Sequence, residues 1–275
     1  MKKTVIKGVN YYPHSNGGGL VAETATVSEI AYIGPAAKVY DNAKVWGAAK
    51  VYDNAKVWGD AEVYDNAEVF GDAEVYDNAE VFGLARVYDN AEVFGHARVS
   101  GRAEVFGNAK VWGEAMVFDY AQIFDKARIF DKAKVWDKAK VSGDAKVSGN
   151  AEVSDNAKVF DKAKVFDNAE VSGNAIVFDN AEVSGYAIVF DAAKVFGNAQ
   201  VSGGANVFDH AIVFDNAEVS GYAEVSGDAR VFGHAKVYDY ARVSGNVEVS
   251  SYTEVFGNTK VTKDINSGEK VFANT

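Results

Sequence analysis

Apolar and polar positions alternate along most of this chain, and the alternation is interrupted on a fixed schedule. In Ala43-Lys44-Val45-Trp46 the small and branched residues occupy every second place, with a charged and an aromatic residue between them. Two-residue alternation is the signature of a strand with one buried face. Ala and Val belong to that face, because Lys, Glu and Arg cannot line a narrow interior unpaired. The aromatic residue shares the alternation with the charged one and so points outward with it. Each four-residue strand is followed by a pair such as Asp-Asn, Gly-Asp, Gly-Asn or Asp-Lys. These residues tolerate left-handed backbone angles or hydrogen-bond their own backbone, which is the chemistry of a turn.

The unit is therefore a hexad, Val-x-(Gly/Asp)-x-Ala-x, a short strand and a corner. Its anchor recurs every six residues from Val21 to Val261 without insertion or deletion, giving 41 hexads. From Val39 onward the anchor is Val everywhere except Ile123 and Ile129. The expected domains are an N-terminal cap over 1–20, a repeat region over 21–261 and a C-terminal cap or tail over 262–275. The repeat decays at Val247, Thr253 and Thr259 before Asp264-Ile265-Asn266-Ser267-Gly268 leaves the phase.

How many hexads close one coil is a separate question. Residues 39–96 alternate Tyr-Asp with Trp-Gly or Phe-Gly, a twelve-residue pattern compatible with a flat two-sided solenoid. The outward position after each anchor discriminates. Sorted by eighteen over 142–232, one face (face C) reads Ser142, Phe160, Phe178, Phe196, Phe214, Phe232. Face A reads Ser148, Phe166, Ser184, Ser202, Ser220, and face B reads Ser154, Ser172, Phe190, Phe208, Ser226. Sorted by twelve, aromatics divide evenly between the faces. Only the eighteen-residue coil separates them, so a three-faced prism of between 13 and 14 coils is expected, and the early twelve-residue pattern reads as duplication.

The pattern of an aliphatic residue followed four positions later by a small one resembles the hexapeptide-repeat, left-handed parallel β-helix proteins. The resemblance covers roughly 21–261, and the loose likeness of Gly17–Ala25 is to openings of uncharacterised bacterial and phage repeat proteins. It implies an all-β, single-stranded parallel β-solenoid, triangular, with 18 residues per coil. Left-handed coiling is implied by the resemblance alone, and it runs against the right-handed rule for parallel crossovers. Family members also commonly trimerise side by side.

Net charge is −11, and opposite signs are interspersed along the chain. That argues against non-specific nucleic-acid binding, which needs concentrated Lys and Arg. Cysteine is absent, which excludes disulfides and thiolate sites. The basic opening Lys2-Lys3 is followed by no apolar core of a signal peptide, so a cytoplasmic or virion-assembled protein is expected, with no membrane span. The histidines His14, His96, His210 and His234 are scattered, and no loop leaves the coil between 21 and 261. Neither the catalytic His of hexapeptide acyltransferases nor the three-His zinc site of the related carbonic anhydrases is provided for. No enzyme activity, cofactor or metal is expected.

The informative surface is face C. Its aromatic positions run Tyr52, Phe70, Tyr88, Phe106, Phe124, Ser142 and then Phe160 to Phe232. Beside them, the strand column over 140–230 reads Lys140, Lys158, Ile176, Lys194, Ile212, Arg230, with no acid. The expectation is a rigid rod whose contact face comprises Phe160, Phe178, Phe196, Phe214 and Phe232 with Ile176, Ile212, Lys158 and Lys194. Such a face serves a homo-oligomer, a trimer being one form, or a virion or cell-surface protein partner. The alternatives are an acyltransferase with an inter-subunit site and an acidic solenoid mimicking DNA.

Overall fold

A computed structural model describes residues 3–266 and 268–273. The chain forms two compact units, Met1–Asp137 and Lys138–Thr275. Both are built the same way. Among the described residues every regular element is a strand, and no helix is long and apolar enough to cross a membrane.

Most hexads contribute a two-residue strand, and within each unit these strands pair in parallel with strands 18 residues away. In the first unit Lys50 and Val51 face Glu68 and Val69. In the second, Lys158 and Val159 face Ile176 and Val177. Three consecutive hexads thus close one coil, and the strands sort onto faces A, B and C as three parallel sheets. About 14 coils are present in all. Eighteen wins over twelve because a core of Val and Ala alone is filled by three walls meeting at short range.

The interior is as thin as the alternation requires. Every anchor from Ile33 to Val243, and every Ala from Ala31 to Ala241 in the small-residue position, has no solvent exposure. The corners carry the strain. Every aspartate in the first corner position, two residues after the anchor, has φ between 55° and 62°. The turns behind most of them are closed by a backbone bond such as Ala79 N–H to the Tyr76 carbonyl, 3.3 Å.

At the N-terminus, β1 (Thr4–Ile6), β2 (Val9–Pro13) and β3 (Leu20–Ala22) form an antiparallel meander. The Lys7-Gly8 turn between the first two has positive φ at both residues, 48° and 84°, as a tight hairpin demands. β3 then pairs in parallel with Lys38–Val39 and starts the stack. β2 lies along the outer edge of β3, where an exposed strand would otherwise invite pairing with another chain.

At the other end the offset shortens. Val255 pairs with Val271 and Val249 bridges Ile265, both 16 residues apart. Thr253 and Thr259 replace Ala here and are both buried. Thr259 donates its hydroxyl to the Phe256 carbonyl at 2.6 Å, but the Thr253 hydroxyl has no partner among the described residues. Thr253→Val keeps the shape and removes an unpaired buried hydroxyl, so it should stabilise the protein by about 1 kcal/mol, read from the denaturant midpoint.

Candidate contact face

The outward aromatics are stacked into ladders, because residues 18 apart share a column and columns rise by one strand spacing per coil. On face C of the second unit, ring centroids lie 5.1 Å apart for Phe160–Phe178 and 4.7 Å for Phe178–Phe196. Phe196–Phe214 and Phe214–Phe232 follow at 5.1 and 4.8 Å. The planes are within 12° of parallel throughout. All five rings are half-buried: their faces cover one another and their edges meet solvent. The first unit repeats this on face C from Tyr52 through Phe124.

What separates the two units is the neighbouring charge column. In the first unit it forms a chain of alternating sign. Lys50 meets Glu68 at 2.8 Å, Arg86 reaches Glu68 at 3.6 Å and Glu104 at 3.2 Å, and Gln122 donates to Glu104 at 3.1 Å. In the second unit the register runs Lys140, Lys158, Ile176, Lys194, Ile212, Arg230. Lys158 and Lys194 are exposed and, among the described residues, have no ion-pair partner; Ile176 and Ile212 are half-buried beside the ladder. Arg230 closes the column. It lies 5.4 Å from the Phe214 centroid and 5.8 Å from that of Phe232, and bonds Glu248 at 3.1 Å. The structure thus assembles all nine residues singled out from the sequence into one strip, part apolar and part cationic.

Two networks were not visible in the residues alone. At the corners an aspartate carboxylate accepts the N–H of the glycine one coil on. Asp41 takes Gly59 at 3.3 Å, Asp155 takes Gly173 at 2.9 Å and Asp209 takes Gly227 at 2.9 Å. This gives the twelve-residue alternation a physical role. Read through an eighteen-residue coil, it stacks Asp over Gly and keeps like carboxylates from meeting. The signal was the clash between the two periods.

The second network joins the ladders to the charges. Tyr64 donates its hydroxyl to Glu80 at 3.1 Å, and Tyr76 to Glu92 at 3.1 Å. Burial, then the hydrogen bond to Glu80, pushes the Tyr64 phenol up to about 12 from an ordinary 10. Burial and the Glu74 charge do the same for Tyr40, also to about 12. A raised phenol pKa means that the folded chain holds its proton where the unfolded chain has lost it. This contribution to stability is complete below pH 10 and disappears as pH rises from 10 through 12. Melting temperature should fall across that window together with the growth of phenolate absorbance. A flat profile to pH 12 would show that these phenols titrate normally.

Among the described residues, no group of three or more His, Asp or Glu converges as a metal site would require. His96 and His210 stand at different corners, and His234 stacks on Tyr252 with centroids 4.8 Å apart.

The pairing and burial define a parallel β-solenoid with 18 residues per coil. No protein-family model matches the chain, and no curated protein matches it.

Proposed function

We propose that this is a non-catalytic structural or interaction protein of the hexapeptide-repeat, left-handed β-helix kind, and that face C of the second unit is its contact surface. The observation that carries this reading is the acid-free column beside the Phe160–Phe232 ladder, where the first unit has a self-neutralised one. Cations left unpaired beside a half-exposed apolar strip favour an acidic, partly apolar partner surface. A second copy of this chain, at net charge −11, offers such surfaces. Homo-oligomerisation is therefore the favoured use, and assembly with a virion or cell-surface protein uses the same strip. Support for a non-catalytic role comes from the uninterrupted hexads, which place no inserted loop around any histidine.

The test is the double variant Phe178→Ser, Phe214→Ser. Faces A and B already carry serine at this position, at Ser184 and Ser172, so the solenoid tolerates it. Aromatic anchors dominate interface energy, and the variant should keep its β-sheet spectrum while losing its oligomer in light scattering. Were the ladder only a stiffener, mass in solution would stay constant and the melting temperature alone would fall. A wild-type chain that stays monomeric and binds nothing would sink the reading.

A further inference from the structure

Within Met1–Asp137 the outward position after each anchor is aromatic in every hexad from Tyr40 to Trp136 except one, Ser100. The register sets Ser100 on face B between Phe82 and Phe118, one coil on either side. Beyond this gap the ladder is intact. Tyr64 stacks on Phe82 at 4.8 Å, and Phe118 stacks on Trp136 at 5.6 Å. One rung is missing from an otherwise continuous stack, and its place is a cavity of about 310 Å³.

The strand spacing gives the gap the thickness of one ring. Two strand spacings, about 9.6 Å, separate Phe82 from Phe118 along their column. A flat ring midway would lie about 4.8 Å from each, the separation found between Tyr64 and Phe82 themselves. The side wall is prepared as well. Where the ladder is whole, Arg86 packs against two rings, with Phe70 at 5.2 Å and Tyr88 at 5.3 Å. Arg98, the equivalent residue at the gap, packs against Phe82 at 5.3 Å and has serine where the second ring would be.

Other departures from the repeat gather at the same place. Met116 is the one apolar residue at its strand position between Lys38 and Lys134, and it lines the gap. Leu84 and Tyr120 are large, exposed residues at a corner position that, from Asn42 to Lys132, is otherwise held by polar residues or Ala; in the second unit Tyr186, Tyr222, Tyr240 and Tyr252 also occupy this position. They border a second recess of about 350 Å³ that shares Gly101 and Asp119 with the first. Within the run from Lys38 to Trp136, these exceptions fall within three successive coils, on one face and its adjoining corner.

We propose that the Ser100 gap is a binding slot for a small molecule bearing a planar aromatic ring. The ring inserts between Phe82 and Phe118 and lies against Arg98, and its substituent extends over the ledge formed by Leu84, Arg102 and Tyr120, where Arg102 lies 5.6 Å from the Tyr120 centroid. The slot is one ring thick and its volume matches a small-ligand pocket. It is independent of face C of the second unit.

The probe is 4-fluorophenol, followed by ligand-observed fluorine NMR on the full chain, with cyclohexanol as a non-planar comparison by saturation transfer. Ser100→Phe restores the missing rung and should weaken 4-fluorophenol binding at least tenfold while raising the melting temperature. Phe118→Ser removes a wall and should give the same loss by the opposite route. Ser184→Phe, in the second unit, should bind like wild type. Circular dichroism establishes that each variant is folded. Wild-type affinity in either folded slot variant, equal binding of cyclohexanol, or no wild-type binding up to the solubility of the probe would each overturn the proposal.

Discussion

Ala163→Leu should destabilise the protein by about 1–3 kcal/mol or more, while Lys164→Gln, its immediate neighbour, should change stability by less than about 0.5 kcal/mol. Ala163 has no solvent exposure, and its column holds Ala145 and Ala181 one coil away on either side. The backbone around it is fixed by bonds from Lys146 N–H to the Ala163 carbonyl at 3.0 Å and from Lys164 N–H to the Ala181 carbonyl at 2.9 Å. A core of Val and Ala has almost no rotamers with which to absorb three extra carbons. The strain must go into the walls, where it opposes the pairing of two coils at once. Lys164 meets Glu182 at 2.7 Å, but both side chains are substantially exposed, and such pairs are worth roughly 0.2–1 kcal/mol at most. Urea melts of the two variants measure the contrast. Equal shifts would mean that the inward and outward sets had been exchanged. Because each coil touches only its neighbours, hydrogen exchange should show the loss of protection centred on the coils around residue 163.

The corners give the second large effect. Gly203→Val should cost at least about 2 kcal/mol, whereas Gly203→Asp should cost about 1 kcal/mol or less. Gly203 has φ +67°, and a Cβ there would come within 2.8 Å of the Gly221 carbonyl oxygen. A β-branched residue suffers both from the left-handed backbone and from crowding by the next coil. Aspartate suffers less, since seventeen corner aspartates already hold this conformation. Its carboxylate would also find the Gly221 N–H one coil on, as Asp179 finds Gly197 at 3.1 Å. Thermal melts of the pair decide the matter. A tolerated valine would show that the corner relaxes freely, and an aspartate as damaging as valine would show that the carboxylate ladder contributes nothing.

Membership of face C was legible in advance because it needs only two things, the direction of each side chain and the number of hexads per coil. Strand alternation sends Phe178 and Ile176 to the same side, and sorting by eighteen puts Phe160, Phe178, Phe196 and Phe214 in one column. The Ser100 slot was not legible in the same way. A serine among aromatics looks like an ordinary substitution until Phe82 and Phe118 are known to stand directly on either side of it. The same holds for Tyr64 and Glu80, whose hydrogen bond at 3.1 Å joins residues that no local pattern connects.

The sequence by itself determined the six-residue phase, the inward set of Val and Ala, and the corners at Asp and Gly. Each of these is settled within a hexad, by two-residue alternation, by the cost of burying charge, and by which residues accept positive φ. The tertiary structure alone decided what stands above what. Hexads are locally equivalent, so closing a coil after three of them is a long-range choice made by the packing of three walls on a thin core. That choice sets Gly59 on the carboxylate of Asp41, links Lys50, Glu68, Arg86 and Glu104 into one chain, and leaves Lys158 and Lys194, among the described residues, without a partner carboxylate beside the phenylalanine ladder.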